Sequence, residues 1–168
     1  MAEVDGPRPW QDVRRLLLVR LDNLGDVLMC TPAMQVLREA LPAARLTLLA
    51  SPSGAAIAPY LRCVDEVIEH AASWVKPGRD SRQAPDDAAV LAELRRRSFD
   101  AAIVFTTASQ SALPAALLLR LAGVPLRLAH SRENPYELLT HWVRDEDRIG
   151  PGMRHEVDRL RVEVGDRA

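Results

Sequence analysis

A chain of 168 residues can bury one sizeable core and is too short for two ordinary domains. Its 48% apolar and 27% charged residues are those of a globular protein, and a formal net charge of -1 excludes the basic balance of a nonspecific nucleic-acid binder. Cys30 and Cys63 stand without CxxC spacing, which excludes a disulfide framework or cysteine metal site and fits a reducing, cytoplasmic setting.

In chain order, residues 1–14 read as a flexible N-terminus without the basic region and apolar stretch of a signal peptide. RLLLVRL (15–21) is a short apolar run with flanking charge, the pattern of a strand buried on both faces. DNLGD follows as a polar loop. Val27, Leu28, Met34, Leu37 and Leu41 then fall mostly three or four apart, so a helix is expected, with Pro32 either opening it after a Thr31 cap or kinking it.

ARLTLLAS (44–51) is a second strand, PSGAAIAPYLR (52–62) a short helix and VDEVIEH (64–70) a weaker third strand. The Pro, Gly and charged residues of 71–85 mark a mobile loop. DDAAVLAELRRRS (86–98) is a helix with acids at its start and arginines at its end. FDAAIVFTT (99–107), SQSALPAALLLRLAG (109–123) and VPLRLAH (124–130) supply a strand, a helix closed by Gly123 and a fifth strand. Beyond His130 the chain turns polar and is broken at Pro135 and Pro151, read as a site loop and then a connector over 151–168. Strands alternating with helices predict an α/β domain over 15–150, a Rossmann-like open parallel sheet with helices on both faces.

Ligands of such sheets sit where the loops at the carboxyl ends of the strands converge. Three loops there are rich in hydrogen-bonding side chains: DNLGD, TTASQS (106–111) and HSRENPYE (130–137). Asp26 has two readings, a carboxylate stabilised at a helix start or a general base at the mouth of a cleft, and Gly25 would let the backbone pass close to a substrate. Asn23, Thr106, Ser109, Gln110, Arg132 and Asn134 complete the candidate substrate-binding set. Arg20, Arg127 and Arg132 are of the type that binds phosphate or carboxylate, although arginines beside strands more often pair with acids. No GxGxxG, GxxxxGK[ST] or GxSxG motif occurs, so dinucleotide, P-loop and nucleophile-elbow sites are disfavoured. His70, His130 and His141 lack metal-ligand spacing, and RHEV (154–157) lacks the second His of a zinc protease.

LLLVRLDNLGDVLMCTPAMQVLREALPAARLTLLASP, FDAAIVFTTASQSALPAALLLRLAGVPLRLAH, RENPYELLTHWV and RHEVDR together resemble the N-terminal half of glycosyltransferase family 9, the ADP-heptose:lipopolysaccharide heptosyltransferases. The resemblance covers roughly residues 15–160, with the GD turn and TPA segment as its most specific part. It implies a GT-B enzyme with two Rossmann-like domains, the N-terminal one holding a glycan or glycolipid acceptor. The other would hold the nucleotide sugar, ADP-heptose. It also implies inverting transfer without metal or cofactor, Asp26 as catalytic base, and a cytoplasmic location peripheral to the inner face of the cell membrane. The family's donor-binding domain lies beyond this stretch, so the chain is expected to be inactive alone, and its exposed interdomain surface to support self-association. The reading from another class is a non-catalytic α/β module that binds a small polar ligand or a partner chain through the same cleft.

Overall fold

The computed structural model describes residues 10–76, 85–107 and 109–145. Six strands form one all-parallel sheet: β1 (Arg15–Arg20), β2 (Arg45–Ala50), β3 (Glu66–Glu69), β4 (Ala101–Val104), β5 (Leu126–Ser131) and β6 (His141–Arg144). Their order is β3-β2-β1-β4-β5-β6, so the winding direction reverses between β1 and β4. Four helices connect them: α1 (Leu24–Ala40), α2 (Pro52–Ala55), α3 (Asp87–Arg97) and α4 (Leu113–Leu121).

The two-sided burial expected of β1 is present, and the pleat explains it. Alternate residues point to opposite faces. Leu16 and Leu18, with Leu46 and Leu48 of β2, pack beneath Val27, Cys30, Met34 and Leu37 of α1. Leu17, Val19 and Leu49 face the opposite layer, where Val90 and Leu94 of α3 and Ala116 and Leu119 of α4 cover them. The helices therefore lie on both faces, as the alternating pattern predicted.

Several boundaries differ from expectation. Trp10 and Val13 are buried in the first core layer, so the packed domain begins before residue 15. The α1 helix starts at Leu24, capped by Asn23, and runs through Pro32, so Thr31 is no cap. The predicted 52–62 helix is the single turn α2 followed by a 3-10 turn at Ala58–Tyr60. The fourth helix begins at Leu113 rather than 109, and Gly123, with φ +80°, follows it in the left-handed conformation that glycine adopts without strain. The sixth strand was not anticipated, because HWVR lacks an apolar run; it is positioned by pairing with the edge of β5. Residues 77–84 of the expected loop, the 151–168 connector and RHEV lie outside the described residues.

Candidate active site at the sheet switch point

The sheet's order reverses between β1 and β4, and the carboxyl ends of strands at such a reversal are where ligands bind in open α/β folds. The floor there is ionic. Arg20, the last residue of central strand β1, is 0% exposed despite its permanent charge. A charge buried there requires partners, and Asp22 and Asp26 supply them. The Asp22 carboxylate lies 3.0 Å from Arg20 Nε, and Asp26 Oδ1 lies 3.3 Å from an Arg20 terminal nitrogen. Both acids keep a small opening to solvent, 10% of the side-chain surface for Asp22 and 20% for Asp26.

The start of α1 holds Asp26 from a second direction. Asn23 Oδ1 accepts the Asp26 backbone N–H at 3.2 Å, and Asp26 Oδ2 accepts the Asn23 backbone N–H at 3.3 Å. This reciprocal cap satisfies two N–H groups that a helix start leaves without partners. Both Asp26 oxygens are thereby oriented, one by Arg20 and one by Asn23. A Cβ at Gly25 would stand 3.2 Å from Asn23 Oδ1, so a side chain at that position would press on the cap.

Asp22 joins this floor to the neighbouring loops. The Gln110 side-chain amide donates to Asp22 Oδ1, while its oxygen accepts the Thr107 backbone N–H at 3.1 Å. Ser51, beyond β2, donates to the Asp22 carbonyl and accepts the Gly54 N–H at 2.9 Å. A Cβ at Gly54 would meet a Val27 methyl at 2.9 Å and the Asp22 carbonyl at 3.2 Å, so only glycine lets α2 sit this close to α1. Ser111 donates to Glu133 at 2.6 Å, tying the loop after β4 to the loop after β5.

The predicted residues therefore divide. Asn23, Gly25, Asp26 and Gln110 are assembled around Arg20 and Asp22. Ser109 is exposed, with its hydroxyl 3.2 Å from that of Thr107, and Thr106 is buried at the end of β4. Arg132 lies 3.8 Å from Asp145. Asn134 accepts the Tyr136 N–H at 2.9 Å within its own turn. Arg20 and Arg127 take structural places. Arg127 is buried and donates to the carbonyls of Val124, Glu137 and Leu138, and its burial, with Arg120 nearby, lowers its pKa from the usual arginine value. Asp22, although in the candidate loop DNLGD, was left out of the predicted substrate-binding set, and Ser51 was not considered. The available signal for Asp22 was Arg20 itself, a charge at the end of an otherwise apolar strand.

Of the histidines, His70 is 3.0 Å from Asp87, and His141 bonds Thr140 and meets Trp10 edge-on. Among the described residues no group of three or more His, Cys, Asp or Glu could hold a metal ion, and no helix is long and apolar enough to cross a membrane.

An open, doubly wound parallel sheet whose strand order reverses at its centre defines a Rossmann-like α/β domain. Its fold is shared with structures of glycosyltransferase family 9, in agreement with the sequence resemblance. The glycosyl transferase family 9 protein from Veillonella parvula DSM 2008 matches with TM-score 0.67 and 22% identity over 94% of this chain and 43% of its own. The E. coli ADP-heptose LPS heptosyltransferase II matches with TM-score 0.66 and 20% identity over 92% of this chain and 41% of its own. E. coli heptosyltransferase WaaC with ADP-2-deoxy-2-fluoro heptose gives TM-score 0.64 and 21% identity, over 91% and 48% respectively. The chain thus spans less than half the length of each. No family model matches the sequence, and no curated protein does.

Proposed function

We propose that this chain is the acceptor-binding part of a glycosyltransferase of the heptosyltransferase type, with Asp26 as its general base. The Asp26 carboxylate takes the proton of an acceptor hydroxyl, on lipopolysaccharide or another glycan, as that oxygen attacks the anomeric carbon of a nucleotide sugar. The bond from that carbon to the diphosphate breaks in the same step, so ADP leaves ADP-heptose and the configuration inverts. A donor-binding part completes the cleft and supplies cations that stabilise the departing diphosphate.

The observation that carries this reading is the setting of Asp26: a partly open carboxylate, oriented through both oxygens, at the switch point of the sheet. The fold shared with heptosyltransferase structures, two of them solved with ADP or an ADP-heptose analogue, supports a nucleotide-sugar reaction.

The test is sugar transfer from ADP-heptose to a lipopolysaccharide acceptor by the complete gene product, wild type against Asp26→Asn. Loss of the base is expected to lower kcat by about 10² to 10⁴, with donor affinity retained. A variant that keeps most of its activity removes Asp26 from the role. A wild type that transfers no sugar from any ADP-sugar overturns the transferase reading. The second reading, a non-catalytic module, is favoured by Leu24 and Leu28, 37% and 46% exposed on the same first turns of α1. It predicts a partner chain seated on that apolar pair and no transfer.

A further inference from the structure

The amino end of the sheet, away from Asp26, holds an open cleft of about 370 Å³ lined by Arg15, Arg45, Thr47, Glu66, Arg96, Arg97 and Phe99. We propose that this cleft binds a small phosphate-bearing ligand. The four arginines come from three separate elements: the starts of β1 and β2 and the last turn of α3. Arg15 and Arg45 are register partners on adjacent strands, a like-charge pairing that an anion between them would relieve. Arginines in the last turn of α3 are accounted for by the helix dipole. Those that open the two strands are not.

Two carboxylates hold the arginine wall in place. Glu66 pairs with Arg45 at 3.2 Å and also with Arg97, while Glu93 takes both Arg96 and Arg97. The hydrogen bond from Arg97 is the largest influence holding Glu66 below the usual glutamate range, so that carboxylate stays ionised and keeps its two arginines in place. Asp65, which acts on Arg45 through its charge, and Asp100, whose carboxylate accepts the Arg15 backbone N–H at 2.8 Å, bring further negative charge to the strand starts, so what the cleft offers an anion is oriented donors. Those donors are in surplus. A guanidinium has five N–H groups; Arg15 uses one on the Arg97 carbonyl and Arg45 one on Glu66. Arginine forks that are already oriented and still rich in donors suit the oxygens of a phosphate. The cleft volume falls in the range of small-molecule sites. Arg15 and Arg20 are five residue steps apart along β1, about 17 Å, so the two ends of the strand are separate places on the fold.

The experiment is a calorimetric titration of this chain with inorganic pyrophosphate at low ionic strength, repeated while following the arginine Nε–H signals by NMR. Saturable one-to-one binding that moves the Arg15 and Arg45 signals is expected. Arg45→Gln should weaken it about tenfold. Arg62→Gln, which removes an exposed arginine outside the cleft, should leave it unchanged. Both substitutions fall on exposed side chains, and circular dichroism confirms that each variant is folded. No saturation at millimolar pyrophosphate overturns the proposal, as does equal weakening by both variants, which reports only general attraction of ions. Capture by phosphatidylglycerol vesicles without any response to pyrophosphate also overturns it, in favour of a lipid surface.

Discussion

Arg20→Met keeps a long unbranched side chain at the end of β1 and deletes its charge, leaving Asp22 and Asp26 without the cation between them. Removing one partner of a buried ion pair costs about 3 to 5 kcal/mol. Here the stranded acids retain 10% and 20% of their side-chain surface in water and keep hydrogen bonds from Gln110 and from the Asn23 backbone, so the low end applies. A loss of about 3 kcal/mol corresponds to a fall of about 6 to 12 °C in Tm for a domain of this length. Urea unfolding followed by circular dichroism measures the loss directly. Asp22→Asn in the Arg20→Met background removes one stranded charge and should restore about 1 kcal/mol or more. A loss from Arg20→Met below about 1 kcal/mol, the range of solvent-exposed pairs, would refute a buried guanidinium at this position.

Gly54→Ala would drive a methyl into Val27 and the Asp22 carbonyl, so it should destabilise by about 1 to 3 kcal/mol and shift the amide signals of residues 22–27 in NMR spectra. Gly123→Ala meets nothing within 4 Å; only its positive φ is penalised, and thermal unfolding should show a loss of about 1 kcal/mol. The fold should also lose stability in acid. Burial raises the Asp87 pKa, but hydrogen bonds from Ser73 and the pairing with His70 outweigh it, leaving the folded value below the usual aspartate range. A depressed carboxylate pKa stabilises the fold above the unfolded value, about pH 4, and that contribution disappears as pH falls through the folded value. Asp65 and Glu66 shift in the same direction. Urea midpoints measured from neutral to acid pH should fall, and Asp87→Asn should flatten part of that slope.

The order of strands and helices was readable because a parallel sheet covered on both faces needs short apolar runs, and amphipathic helices repeat at a different period. Where packing rather than pattern decides, the reading weakened. Strand β6 contains His141 and Arg144, is only partly buried, and owes its place to the unpaired edge of β5. Pro32 could be read as a helix opener or as a kink within a longer helix; the reciprocal hydrogen bonds of Asn23 and Asp26 start α1 earlier, so the helix carries the proline within it. At the candidate site the loops were legible from their polar composition. The division of labour within them was not. A side-chain amide free in the sequence is spent in the fold when both its ends find partners, as with Gln110 between Asp22 and Thr107.

The ionic floor also sorts groups by charge. One guanidinium against two carboxylates gives Arg20, Asp22 and Asp26 together a formal charge of minus one at the carboxyl end of β1. Two like unit charges about 5 Å apart repel by roughly 3 kcal/mol at an effective dielectric constant near 20. On the proposed function, a diphosphate would be turned away from this surface, whereas an uncharged hydroxyl could approach it. The loop after β1 would then impose a direction on the proposed substrate, alcohol end inward and anionic end outward, before a single specific contact is made.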